Sequence, residues 1–221
     1  MTPPVNVNLS GAKANVYVDG FNLYYGCLKG TEYRWLDLGA FCQKLIPSNP
    51  INRIRYFTAR ISARPQDPDG PVRQETYLRA LATTPGLSIH LGHFQQTTVR
   101  APLAKPRPGG AKTVEVLKTE EKGSDVNLAT YLLLDAFRKD CELAVVVSND
   151  SDLEAPIRVA MRELGIPVGL VNPHKARFRS RDLLSLNPVF FKQIRPNALK
   201  ASQFPAILGD AHGEIRRPPK W

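Results

Sequence analysis

The sequence predicts an α/β fold, a mostly parallel central sheet with helices on both faces. Three observations carry that reading. Short apolar or alternating runs recur between stretches whose apolar residues fall at helical spacing, the pattern of strands alternating with helices. One complete unit, Leu143 to Val171, reads strand, helix, strand, with Gly165-Ile166-Pro167 stopping the helix. A length of 221 residues with a hydrophobic fraction of 43% suffices for one large domain with its own core.

The elements follow in order. Asn15 to Val18 is a short buried strand closing on Asp19-Gly20, and a helical stretch runs from Phe21 to Tyr25. Leu36 to Leu45 reads as helix, with Asp37 as its N-cap and Pro47 shortly after its end. Ile51 to Ile61 alternates and is rich in β-branched and aromatic residues, so it is a strand. Turn residues make Arg64 to Pro71 a loop, and VRQETYLRALAT after it carries helical spacing. Leu87 to Val99 is extended, a strand continued as an outlying ribbon. Pro102 to Gly110, PLAKPRPGG, is a flexible loop made basic by Lys105 and Arg107. KTVEVLKTEEKG is strand and turn.

The clearest helix is Asp125 to Asp140. Val126, Leu128, Ala129, Leu132, Leu133 and Phe137 fall largely on one face, which leaves Asp135 and Asp140 as solvated surface acids. Strand Leu143 to Val147, helix Asp152 to Leu164 and strand Ile166 to Val171 complete the βαβ unit, and Val189 to Ile194 adds an edge strand. The expected organisation is a flexible N-terminus over residues 1–13, one domain over 14–195, and a basic tail over 196–221 that packs weakly or frays.

A net charge of +10 favours a polyanionic partner, nucleic acid before an acidic membrane surface. From Lys175 onward the chain has ten basic residues against three acids, so Lys175, Arg177 and Arg179 open a basic segment. Cys27, Cys42 and Cys141 are isolated and form no CxxC pair, which argues for reduced, partly buried thiols and against a zinc knuckle or a disulfide framework. The opening MTPPVNVNLSGAKA has no apolar segment, so no secretory signal is expected. No apolar run approaches the ~20 residues of a membrane span. The expected location is the cytoplasm, without a membrane partner.

The acids fall at informative places. A parallel sheet delivers the carboxyl ends of its strands to one edge, where ligands bind. VYVDG puts Asp19 at such an end, EEKGSD puts Glu120, Glu121 and Asp125 between an extended segment and the long helix, and VSNDSD puts Asp150 and Asp152 after the central strand. Taken singly, each has an ordinary explanation: Asp-Gly is a common turn, and Asp125, Asp150 or Asp152 can cap a helix. Taken together, carboxylates converging on one edge repel unless a cation neutralises them, and hard oxygens without a Cys or His cluster select Mg²⁺ or Mn²⁺. His90 and His93 read as structural or surface residues.

VYVDGFNLYYG, EEKGSDVNLA and VVSNDSDLEAPI together resemble the NYN domain family, whose fold is PIN-like, a three-layer α/β/α sandwich. The resemblance spans Asn15 to Pro173, and three motifs in order at strand-to-helix junctions are specific where one is not. It implies a metal-dependent nuclease acting mostly on RNA, with Mg²⁺ or Mn²⁺ held by Asp19, Asp125, Asp150 and Asp152. It further implies that Asn22 shapes the site and that Lys122 and Ser148 stand beside it. Lys105, Arg107, Lys175, Arg177 and Arg179 are the expected holders of the RNA backbone, and Tyr24, Tyr25 and Phe178 the candidates for base stacking. Relatives resembling the motif carry a further acid two turns into the long helix, where this chain has Tyr131, which favours one firmly held ion over two.

The leading expectation is therefore a metal-dependent endoribonuclease. The alternative is an RNA-binding or regulatory module that keeps the acidic pocket without turnover. An aspartyl phosphatase is disfavoured because Phe21 stands where its second acid belongs, and Asp19-Gly20-Phe21-Asn22 offers no GxGxxG turn for a dinucleotide. A homodimer would suit a small nuclease gripping a long strand. Within VSNDSD, Asp150 is expected to face the metal and Asp152 to cap the helix through the amides of Leu153 to Ala155.

Overall fold

The computed structural model describes residues 9–219 and 221. The first half of the chain forms β1 (Ala14–Asp19), α1 (Gly20–Leu23), α2 (Leu38–Leu45), β2 (Ile51–Ala59), α3 (Gly70–Ala82), β3 (Leu87–Pro102) and β4 (Thr113–Lys122). The second half forms α4 (Ser124–Phe137), β5 (Leu143–Val147), α5 (Glu154–Arg162), β6 (Val168–Asn172), α6 (Arg181–Ser185), β7 (Phe190–Gln193), α7 (Pro196–Lys200), β8 (Ile207–Asp210) and β9 (Gly213–Arg216). Seven strands make one sheet in the order β4-β3-β2-β1-β5-β6-β7, parallel throughout except for β4, and β8 and β9 form a separate hairpin. The expected mostly parallel sheet with helices on both faces is what forms.

Side-chain alternation along the strands builds two cores. On β1, Val16 and Val18 face α2, α3 and α7, where they meet Phe41, Leu81 and Leu199. Tyr17 faces the other way, towards Leu128 and Leu132 of α4 and Ile157 of α5. The all-apolar β5 and β6 are buried on both faces, as central parallel strands must be. Asp37 caps α2 as expected, its Oδ1 accepting from Ala40 N at 3.0 Å. β6 starts two residues later than expected because Pro167 has no N–H for the ladder; its carbonyl still accepts from Ala144 N at 3.0 Å.

Three expectations are corrected. The buried face of α4 runs through Ser124, Leu128, Leu132, Asp135 and Ala136, while Val126 and Phe137 are exposed. Asp135 is thus not a solvated acid. It is 2% exposed and bidentate with Arg55 of β2 (2.7 and 2.8 Å), and it also accepts from Tyr17 Oη at 3.0 Å. Asp140 is likewise engaged, by Arg53 Nε at 2.7 Å and Asn15 Nδ2 at 3.0 Å. An apolar count along one helix cannot see these partners, which come from β1 and β2.

The segment beyond Arg195, expected to pack weakly, instead closes one face of the sheet. Leu199, Phe204 and Ile215 are buried there, Phe204 and Trp221 pack edge-on against Trp35, and Trp35 Nε1 donates to Pro205 O at 2.9 Å. Arg79 of α3 clamps Asp210 of the hairpin. The expected flexible N-terminus falls, for residues 1–8, outside the described residues. From Leu9 the chain is already tied down, with Asn49 Nδ2 donating to Leu9 O and Ala12 O.

Candidate metal centre

The strand order reverses between β1 and β5: the chain proceeds outward through β2 and β3, then returns to the other side of β1. Such a switch point opens a crevice at the carboxyl ends of the two strands. β1 ends there in Asp19, β5 runs there into Ser148, Asn149 and Asp150, and α4 brings Asp125 in its first turn. Asp19, Asp125 and Asp150 each offer one carboxylate oxygen, all within 4.8 Å of one another.

Local hydrogen bonds fix these acids. Asp19 caps α1, its Oδ1 accepting from Asn22 N at 2.9 Å, while its Oδ2 accepts from Ser148 Oγ at 2.9 Å. Ser148 Oγ in turn accepts from Asp150 N at 3.1 Å, so a single hydroxyl joins the two strand ends. Asn22 completes the tie by accepting from Asn149 N at 2.9 Å through its side-chain oxygen. Gly20 is required beside Asp19: a Cβ there would lie 2.7 Å from Phe57 O.

Burial pushes the Asp19 carboxyl up to about 7, against the hydrogen bonds from Asn22 and Ser148, with Asp125 and Asp150 adding to the rise. Burial also pushes Asp125 up to about 6, joined by the charges of Asp150, Glu121 and Asp152. The charges felt by both groups are therefore other carboxylates. Three oxygen donors with mutual repulsion suit a hard divalent ion, and Arg64 lines the same pocket.

The structure separates the other residues singled out from the sequence. Asp150, not Asp152, caps the turn that leads into α5: its Oδ1 accepts from Asp152 N at 3.0 Å. Asp152 is exposed and stands outside the three-acid cluster. Lys122 reaches Glu120 at 3.3 Å on the ribbon, and Glu121 rather than Lys122 lines the pocket. Glu121 Oε1 is engaged in holding the start of α4, accepting from Ser124 N at 3.1 Å and Ser124 Oγ at 2.7 Å. Tyr131 packs away from the acids, its ring 4.1 Å from that of His90 with the Arg55 guanidinium 4.5 Å from its centroid.

The basic residues divide. Asn149 ties the segment from Lys175 to Arg179 to the loop that carries Asp150, donating to Phe178 O at 2.8 Å and accepting from Ser180 N at 2.7 Å. Phe178 is exposed there with the Arg177 guanidinium 4.7 Å from its ring centroid. Lys105 and Arg107 sit in the far turn of the β3–β4 ribbon. Phe94, at the pocket, is eight residues from Pro102, which puts roughly 27 Å of strand between them.

Sequence reasoning missed several residues of the pocket. Arg64, Ile61, Phe21 and Phe94 line it together with Tyr25 and the acids. Arg64 and Ile61 follow β2, so the strand-end rule applied to the acids would have reached them. Phe94 lies mid-strand, where β3 overshoots the sheet, and no local signal marks it.

The sequence pattern described as NYN domain matches residues 13–191. The chain is similar to 6-hydroxy-3-succinoylpyridine 3-monooxygenase HspA of Pseudomonas putida (strain DSM 28022 / S16), with 28% identity over 235 residues, covering 95% of this chain and 75% of that protein. Among solved structures it resembles a protein of unknown function from Vibrio parahaemolyticus, with a TM-score of 0.54 and 18% identity over 89% of this chain and 98% of that one. That last likeness is one of fold. Among the described residues, no helix is long and apolar enough to cross a membrane.

Proposed function

The chain belongs to the NYN domain family of PIN-like nuclease domains, and from that premise we propose that it is a divalent-metal-dependent endoribonuclease. One observation carries the reading: Asp19, Asp125 and Asp150 converge at the switch point of the sheet, each offering a carboxylate oxygen within 4.8 Å of the others. These three would hold Mg²⁺ or Mn²⁺. A bound ion would supply Lewis acidity to a phosphoryl oxygen and lower the pKa of an attacking water.

The chain's own residues do the rest. Ser148 and Asn22 fix the Asp19 carboxylate and the loop carrying Asp150, so the donor set is preorganised. Asp152 adds negative charge at the rim. Lys175, Arg177 and Arg179 neutralise backbone phosphates on either side of the pocket. Cleavage of a labelled RNA in Mn²⁺ should fall at least a hundredfold in Asp19→Asn, Asp125→Asn and Asp150→Asn. RNA binding without cleavage under any divalent ion would instead leave a regulatory module.

A second reading comes from the similarity to HspA over 95% of the chain. The pocket is small and lined by Phe21, Tyr25 and Phe94, which suits a single heteroaromatic ring. On this reading the reaction is oxygenation of a hydroxypyridine. Oxygen uptake with a hydroxypyridine and a reduced nicotinamide, in the absence of RNA cleavage, would decide for it.

A further inference from the structure

One wall of the pocket does not suit a bare ion. Beside the carboxylates, Phe21, Phe94, Tyr25, Ile61 and Arg64 line it. Phe21 and Phe94 meet edge to face, their ring centroids 5.7 Å apart, and the Tyr25 ring is half exposed. An apolar surface left open beside charged oxygens gains by being covered, and a flat ring covers aromatic faces best.

Arg64 supplies the other half. Its backbone closes a tight turn with Asp67, yet the Asp67 carboxylate is taken by Arg73, so that turn offers Arg64 no counter-ion. Among the described residues, no carboxylate forms an ion pair with the Arg64 guanidinium. A guanidinium fork without an ion-pair partner, lining a pocket, selects a planar or tetrahedral oxyanion. The cavity encloses ≈ 280 Å³, the lower end of small-ligand sites. It takes one ring and one anion, not a length of duplex.

We propose that the pocket contains a recognition subsite for a planar aromatic ring carrying an anionic group. Phe94, Phe21 and Tyr25 hold the ring, Arg64 holds the anion, and both stand beside the cation-binding carboxylates. The subsite rests on the reading that those carboxylates hold a divalent ion, which removes their repulsion of an anion. Its chemistry is shared by a nucleotide within RNA and by a small heteroaromatic acid, so the two functional readings agree on it.

Calorimetric titration of the full chain in Mg²⁺ tests it with four probes: adenosine 5′-monophosphate, adenosine, ribose 5-phosphate and pyridine-3-carboxylate. The monophosphate should bind about tenfold tighter than either of its halves. Arg64→Ala should abolish its advantage over adenosine, with partial recovery in Arg64→Lys, and Phe94→Ala should abolish its advantage over ribose 5-phosphate. Equal binding of the whole and its halves, or ratios unchanged in both variants, overturns the subsite. Pyridine-3-carboxylate competing as well as the monophosphate assigns the subsite to a small acid, and failure to compete assigns it to a nucleotide. RNA cleavage that is lost in Asp150→Asn but has an unchanged KM in Arg64→Ala would leave the nuclease standing while the subsite fell. Selective monophosphate binding without any RNA cleavage would do the reverse.

Discussion

Asp19 holds its proton to higher pH than an ordinary carboxyl because it is buried, with Asp125 and Asp150 alongside. The raised value, about 7 against 3.8, fixes the sign of a pH effect. Between those values the folded state binds more protons than the unfolded state, so metal-free stability falls as pH rises. Melting without divalent ion should therefore shift downward from about pH 5 to about pH 8, and Asp19→Asn should flatten that part of the profile. Mn²⁺ should raise the melting temperature more at the higher pH, because the acids are then ionised to receive it. An equal Mn²⁺ effect at both ends would show that these acids do not bind the ion. Asp135 shows the opposite use of a buried carboxylate. It satisfies Arg55 and Tyr17, so Asp135→Ala strands a largely buried guanidinium and should cost about 3–5 kcal/mol in urea unfolding. A loss below about 1 kcal/mol would mean that Arg55 reaches solvent instead. The placement of Asp19 and Asp150 at one sheet edge was legible in the sequence because a strand end is a local signal. Asp135 was misread because its partner lies 80 residues away.

The β3–β4 ribbon and α4 meet where an element boundary becomes part of the site. Gly92 allows it: a Cβ there would lie 2.5 Å from Lys122 O and would collide with Glu121 Oε1, the oxygen that holds Ser124 at the start of α4. Gly92→Ala should therefore destabilise by about 1–3 kcal/mol and weaken Mn²⁺ binding, since Asp125 sits one residue after that cap. Gly209→Ala, at an open position in β8, is the control and should change stability by less than about 0.5 kcal/mol. Equal effects of the two substitutions would break the link between ribbon and metal site. The strands, the Asp37 cap and the βαβ unit were legible because period and capping chemistry are local. At SNDSD the sequence pointed to Asp152 as the cap, and the short 3₁₀ turn ahead of α5 moves the cap back to Asp150.

At the scale of the molecule, the C-terminal segment and the charge distribution matter most. Leu199, Phe204 and Ile215 complete one core around Trp35, so a chain ending at residue 195 leaves that face uncovered. Each such side chain is worth roughly 2–5 kcal/mol when lost from a core, and the truncated chain should lose cooperative unfolding. Retention of a sharp transition would show that the segment is only appended. Composition hid this, because basic and Pro-rich sequence looked like a tail while its few apolar residues did the packing.

The net charge of +10 coexists with an acidic pocket, so on the nuclease reading attraction for RNA comes from basic side chains outside the acid cluster. Asn149 ties the segment carrying Lys175, Arg177 and Arg179 to the loop of Asp150, so on the nuclease reading these three are the first cations to test. On single-stranded RNA each neutralised phosphate contributes about 0.7 to the slope of log affinity against log salt. Replacing all three by Ala should thus lower the slope by about 2, weaken binding at low salt, and leave cleavage of already bound RNA nearly unchanged. Lys105 and Arg107, at the far turn of the ribbon, should matter only for RNA long enough to span it, so their double Ala variant should separate from the parent on long substrates alone. A slope unchanged in the triple variant would move the RNA path off this segment and onto the ribbon.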